Sequence, residues 1–245
     1  MACQMATWAL FLREIKRFYR DRSRIVGTLM APLALFGFIA GGFAGVTIGG
    51  VTFSRYLLPG TLALSVMMTA IFSTISIIDD RKAGFLQGVL VAPISRAALI
   101  AAKVCAGAAL SLMQAALVLL PLSLYEGGID IAALPLLFVA LAVTGAALTA
   151  LGFALAWFSD STQGYHAMMN GLLMPMWALS GSLFPADGAT PVLATIVRLN
   201  PLTPFVALLR DASSLGAWLA PLAWTAAFFA LALLSTRRSA RAVAA

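Results

Sequence analysis

Residues 57–78 read LLPGTLALSVMMTAIFSTISII, and residues 79–103 read DDRKAGFLQGVLVAPISRAALIAAK. The first stretch carries no charge, and its length matches the roughly 20 residues a helix needs to cross a hydrocarbon core about 30 Å thick. The second is the longest clearly polar interruption in the chain, and it holds Arg81, Lys82, Arg96 and Lys103. Inside lipid the backbone must satisfy its own hydrogen bonds, so a span is either a helix or a strand of a closed barrel. Barrel strands alternate polar and apolar residues over short runs. The runs here are continuous and rich in Ala and Leu, which selects helices. The pair of segments therefore predicts an all-α integral membrane protein.

Working outward, the same pattern repeats. The 245 residues are 62% hydrophobic and only 10% charged, whereas a soluble domain carries about a quarter charged residues. Six spans are expected, near 25–48, 57–78, 104–125, 132–158, 167–184 and 217–236. Residues 185–216 are too apolar for an ordinary loop and are broken by Pro191, Pro201 and Pro204. They are expected to form short re-entrant helices, sheltered by protein. A short tail, 237–245, ends the chain. Residues 1–24 carry Trp8, Phe11, Leu12, Ile15, Phe18 and Tyr19 at helical spacing, with Arg13, Glu14, Lys16, Arg17, Arg20 and Asp21 on the other face. Such a helix lies along a membrane surface. It lacks the apolar core and small-residue cleavage site of a secretory signal.

The net charge of +7 then reads as topology rather than as nucleic-acid binding. Thirteen of the sixteen Lys and Arg residues fall on segments this scheme places on one side, and Arg55, Arg198 and Arg210 fall on the other. Cytoplasmic segments collect Lys and Arg, so both termini are expected in the cytoplasm, in a bacterial inner membrane.

The chemistry that is missing narrows the function. One histidine, His166, and two distant cysteines, Cys3 and Cys105, assemble neither a zinc set nor a disulfide framework. Asp79 and Asp80 lack the further acidic residues that a metal-dependent lipid transferase would need. Ser180 and Ser182 flank Gly181 with only His166 as a distant base, which disfavours a serine protease. No ionisable residue lies centrally in an expected span, against an ion-coupled transporter. No phosphate-binding loop of the G-x-x-x-x-G-K-[ST] form is present, so ATP-driven work needs another polypeptide. No catalytic residue, metal or cofactor is assigned to this chain.

Several stretches, in order over about 200 residues, carry a resemblance. REIKRFYRDRSRIVGTLMAP, RYLLPGTLA, DDRKAGFLQGVLVAPISR, and SGSLFP followed by RLNPLTPFVALLRD resemble the permease subunits of the ABC-type-2 exporter family. The last block is most similar to permeases of the daunorubicin-resistance and nodulation-factor type. The resemblance implies an elbow helix, with Arg13, Lys16, Arg17 and Arg20 on its basic face, leading into six spans. It implies that the loop from Asp79 to about Ser95 forms a coupling helix on a cytoplasmic ABC ATPase, which would hold ATP and Mg. Asp80, Arg81 and Lys82 would then make rim contacts, Phe85 and Leu86 would be apolar anchors, and Gly84 would shape the bend. A second permease chain, giving a homodimer with alternating access, and surrounding lipid complete the expected partners. Polar residues Ser65, Thr69, Ser73, Gln114 and Asn170 are candidates to line a path for a hydrophobic, amphipathic or lipid-linked substrate. Gly37, Gly41, Gly45 and Gly49 recur every fourth residue and are expected to pack one helix closely against another. Two other functions compete: a haem or polysaccharide export permease, and a lipid-modifying enzyme or assembly factor without an ATPase.

Overall fold

The computed structural model describes residues 2–84, 95–126 and 130–243. Helix α1 spans Ala2–Arg20 and α2 spans Arg22–Gly42. Only Asp21 separates them. Its carboxylate accepts from the backbone N–H of Arg24 and from the Ser23 hydroxyl, capping α2 and turning the chain. The Ser23 hydroxyl bond holds the Asp21 carboxyl below its ordinary range. A two-residue β-hairpin follows, β1 (Thr47–Ile48) against β2 (Val51–Thr52). Its turn is made by Gly49 and Gly50, at φ of 58° and 82°. Helix α3 spans Phe53–Lys82, α4 Arg96–Tyr125 and α5 Leu134–Phe158, with a 3-10 turn at Ile131–Ala133 leading into α5. Helix α6 spans Thr162–Trp177, α7 Pro191–Leu199, α8 Thr203–Arg210 and α9 Leu219–Val243. Thr52, Ser95 and Ser161 cap the starts of α3, α4 and α6 with their side chains.

Helix α3 is the axis of the bundle. It touches α2, α4, α5, α6 and α8, and Leu62, Val66, Met67, Ile77 and Ile78 along it are fully enclosed. Helices α2 and α9 lie at the margin with most of their apolar surface outward, as Phe38 at 81% exposure shows. Apolar surface directed outward on long uncharged helices requires lipid around it. Among the described residues, five helices are long and apolar enough to cross a membrane, or six if α7 and α8, bent by 82° at their junction, count as one span.

Three expectations about boundaries are corrected. The helix of the second expected span does not stop at Ile78 but continues through Asp79–Lys82, because Arg81 and Lys82 suit the negative end of the helix dipole. The helix of the third expected span begins at Arg96, so Lys103 lies within α4 rather than in the preceding loop. The fifth expected span is only sixteen helical residues in α6, about 24 Å at 1.5 Å per residue. Beyond Trp177 it passes into an irregular turn through Ser182, with Gly181 at φ 79°.

The glycine stripe is corrected too. Gly45 and Gly49 lie beyond the end of α2, and Gly49 supplies the hairpin turn. A Cβ added at Gly37 or Gly41 would meet nothing within 4 Å among the described residues. The close helix contacts are made instead by Gly60, Gly107, Gly145 and Gly152. A Cβ on Gly107 would lie 2.4 Å from the Thr149 side chain of α5. In lipid no hydrophobic gain drives helices together, so close backbone approach carries much of the association. Gly107→Ala is therefore expected to destabilise the detergent-solubilised chain by about 1–3 kcal/mol through overpacking against a stiff, β-branched Thr. Gly41→Ala should leave the isolated chain within about 0.5 kcal/mol. Thermal unfolding followed by size-exclusion fluorescence compares the two.

Candidate functional site: a buried charge cluster and a pinned break

The face of helix α1 that meets the bundle carries three residues one turn apart. Leu10, Glu14 and Phe18, spaced at i and i+4, are buried, while Trp8 and Tyr19 are exposed. The buried stripe packs chiefly on α4 and brings a carboxylate into the interior. Glu14, Asp80 and Lys103 keep side-chain exposures of 5%, 4% and 5%. Lys103 Nζ donates to Glu14 Oε1 at 2.7 Å, Ser76 Oγ at 2.9 Å and Asp80 Oδ2 at 3.0 Å, which uses all three of its donors. Arg13 donates to both Asp80 oxygens, at 3.0 and 2.6 Å, the fork geometry in which guanidinium binds carboxylate best. That pairing holds the Arg13 guanidinium above its ordinary value. Arg17 bridges Asp80 Oδ1 at 3.0 Å and Asp79 Oδ2 at 2.8 Å. Arg24 lies 2.8 Å from Asp21 and 3.8 Å from Asp79, and donates to the Phe72 carbonyl.

Arg13, Arg17, Arg24 and Lys103 thus face Glu14, Asp21, Asp79 and Asp80, four charges of each sign. Buried ions persist only when paired and hydrogen-bonded, and this set meets both conditions. Its effect is mechanical: α1, the last turns of α3 and the second turn of α4 are held together at one end of the bundle. Arg81 extends the arrangement to α5. It donates to the Trp157 carbonyl at 2.6 Å and the Ser159 carbonyl at 3.2 Å, with the Trp157 ring 5.5 Å away. Arg96 reaches the Thr236 carbonyl of α9 at 2.9 Å.

Asp80 and Arg81, expected at a partner's rim, therefore face inward and bind this chain itself. Lys82 and Gly84 are exposed, and Gly84, at φ 71°, takes the left-handed turn that ends α3. Phe85 and Leu86 lie outside the described residues. On α1, Arg13 and Arg17 are committed to the cluster, while Lys16 and Arg20 are exposed beside it. These residues rim a groove of about 700 Å³ between α1 and the end of α3, lined also by Ala9, Leu12 and Ala83.

The expected path residues are not brought together. Ser65 is enclosed, and Thr69 and Ser73 donate back to carbonyls of their own helix. Gln114 joins α4 to α2 through the Ile25 carbonyl at 3.0 Å and the Thr28 hydroxyl at 2.6 Å, and Asn170 is exposed. Hydroxyls in apolar helices commonly close on the preceding turn.

At the far end of α3 a second construction holds the break after α6. Trp177 Nε1 donates to the Gly60 carbonyl at 2.7 Å, and Tyr56 Oη to the Gly181 carbonyl at 2.8 Å. Arg210 donates to the same carbonyl at 3.2 Å while lying 4.3 Å from the Tyr56 ring centre. Asn200 Nδ2 donates to the carbonyls of Met176 and Leu179, at 2.6 and 2.8 Å, satisfying groups near the break. Asn200→Ala should cost about 1–3 kcal/mol, since it orphans these carbonyls. Limited proteolysis should cut faster between Ala178 and Pro185.

Sequence reasoning missed the roles of Glu14, Lys103 and Gly60. A carboxylate at the centre of a Leu-x3-Glu-x3-Phe stripe was the available signal for Glu14. Gly60 had none, because its requirement is set by Ser182 across the bundle.

Comparison with known proteins agrees with this architecture. A model of the "ABC-2 type transporter" family matches residues 5–213. A protein named Nodulation protein J from Neorhizobium galegae is 28% identical over 193 residues, 77% of this chain and 73% of that protein. The protein of the same name from Rhizobium leguminosarum bv. trifolii is 31% identical over 201 residues, covering 76% and 72%. With the family match spanning both the charge cluster and the pinned break, the chain belongs to the ABC-2 type transporter family, as an integral membrane transport subunit.

Proposed function

We propose that this protein is the permease of an ATP-binding-cassette exporter, driven by a separate ATPase subunit that docks at the α1 end of the bundle. The observation that carries this reading is the charge cluster, which fastens an amphipathic helix to the end of α3, the helix that leads into the expected coupling segment. The docking surface then consists of Lys82, Gly84 and the residues that follow, including Phe85 and Leu86, with Lys16 and Arg20 of the elbow helix alongside. Asp80 and Arg81 act behind that surface as its supports. The skewed distribution of Lys and Arg supports a cytoplasmic α1 end in a bacterial inner membrane.

ATP and Mg belong to the ATPase partner. Its closure would push on the coupling segment, and the cluster would pass the displacement to α1, α3 and α4 together. Two copies of the chain working by alternating access would place the translocation path between them, which fits the enclosure of Ser65 and the bonding of Thr69 and Ser73 to their own helix. The outward face of α2, with Gly37, Phe38 and Gly41, is the surface offered to the second copy. An amphipathic or lipid-linked substrate suits walls this apolar.

Purification of the tagged protein in mild detergent, with mass spectrometry of what accompanies it, tests the reading. The expected result is a P-loop ATPase at equal stoichiometry. A folded protein that repeatedly comes alone would overturn the reading in favour of a membrane enzyme or assembly factor.

A further inference from the structure

A cavity of about 600 Å³ opens at the end of the bundle away from the charge cluster, within the size range of small-molecule sites. It lies between the start of α3, the end of α4, the start of α5 and residues 209–213. Its walls are apolar, with Pro59, Leu119 and Leu209 buried, Leu58 and Leu137 half-buried and Leu136 exposed, and charged groups line it as well. The charged groups are not equivalent. Glu126 accepts from the Thr52 hydroxyl, Asp130 from the Ala132 N–H, and Asp211 from the Ser213 N–H and hydroxyl. Arg210 is engaged with the Gly181 carbonyl and the Tyr56 ring. Arg55 alone among them has no ion pair or side-chain hydrogen bond among the described residues, although a guanidinium carries five donors.

We propose that this cavity binds an alkyl chain bearing a phosphate head, with the chain against the leucines and the phosphate on Arg55. The shared chemistry is that of a membrane phospholipid inserting one chain or of a free alkyl phosphate. The position favours it: the cavity sits some 35–40 Å along α3 from Asp80, at 1.5 Å per residue, where the apolar helices end and headgroups lie. The site is part of a single chain. It shares no residue with the charge cluster or with the α2 face, so it stands independently of the proposed transport reaction.

The test is calorimetric titration of the whole protein in an uncharged maltoside detergent with dodecyl phosphate. Saturable binding is expected, weakened about tenfold by Arg55→Gln, since one charge-assisted contact is removed. Ala133→Trp, an exposed position whose new ring would occupy the mouth, should abolish binding. Arg198→Gln, outside the cavity, should bind like the wild type. Inorganic phosphate alone should not bind. Titration with phosphatidylglycerol in nanodiscs separates the sources: Arg55-dependent retention there identifies a membrane lipid, and binding of dodecyl phosphate only identifies a free amphiphile. Equal affinity in the wild type and both cavity variants, or tighter binding of dodecyltrimethylammonium than of dodecyl phosphate, overturns the proposal. Elution volume and melting temperature confirm that each variant is folded.

Discussion

Asp80→Ala is expected to be the most damaging single substitution in the protein, lowering stability by about 3–5 kcal/mol. The lost interactions with Arg13, Arg17 and Lys103 are only part of the cost. The larger part is that Lys103, enclosed beside Asp80, keeps its charge against Glu14 alone. With α1 held to the end of α3 by charge only through Arg17 and Asp79, the proposed ATP-driven transport should fail even in the protein that still folds. Breaking a buried ion set by removing one partner is far worse than removing both. The double variant Asp80→Ala with Lys103→Met should therefore be more stable than Asp80→Ala alone. Melting temperatures in detergent, measured for the single and double variants, check both statements. An additive double variant would mean that the two side chains do not act as a unit.

Gly60→Ala should also have a large effect, and its readout is different. An added methyl would lie 2.6 Å from Ser182 Cβ and 2.9 Å from Ser182 Cα. Since one of those atoms is backbone, a side-chain rotation cannot relieve the overlap. The chain after α6 must move away from α3, which also strains the Trp177 bond to the Gly60 carbonyl and the Tyr56 bond to the Gly181 carbonyl. A loss of about 1–3 kcal/mol follows from overpacking. Ser182→Gly removes the nearer atom, so the double variant should recover part of the loss. Indole fluorescence should shift toward longer wavelength in Gly60→Ala if Trp177 leaves its buried bond, and should return in the double variant. An unshifted spectrum with unchanged stability would mean that the break is not held against α3.

The two constructions show which features were open to sequence reasoning. Class and approximate span positions follow from hydropathy, because twenty uncharged residues have few alternatives once lipid is the solvent. Charged residues at span ends were harder. Charge usually marks the water boundary, so Asp79–Lys82 and Arg96–Lys103 read as loop, yet both are helical, and Asp80 and Lys103 are enclosed. Burial was possible because their partners arrive from α1, more than sixty residues earlier, and no local pattern encodes that pairing. The contacts of the glycines are hidden from the sequence for the related reason. A four-residue repeat marks one face of a helix, but whether another helix lies against that face is a tertiary fact. Gly60 and Gly107 have no repeat and make the close contacts, while Gly37 and Gly41 have the repeat and face outward. Asn200 stood in a stretch already singled out, RLNPLTPF, but its task of binding the Met176 and Leu179 carbonyls needs the break at Gly181 to exist first.

In the proposed exporter, α1 and the end of α3 move as one body when the ATPase partner works. Electron–electron spin resonance distances test it most directly. Labels are placed at Lys16→Cys and Lys82→Cys, both exposed, after Cys3 and Cys105 are replaced with Ser, and the protein is measured in its ATPase complex with and without ATP. A narrow intrachain distance that stays the same in both nucleotide states, and broadens when Asp80→Ala is added, is the predicted result. A distance that shifts on ATP binding in the otherwise wild-type protein would contradict it, because the cluster would then be yielding at the step it is said to transmit.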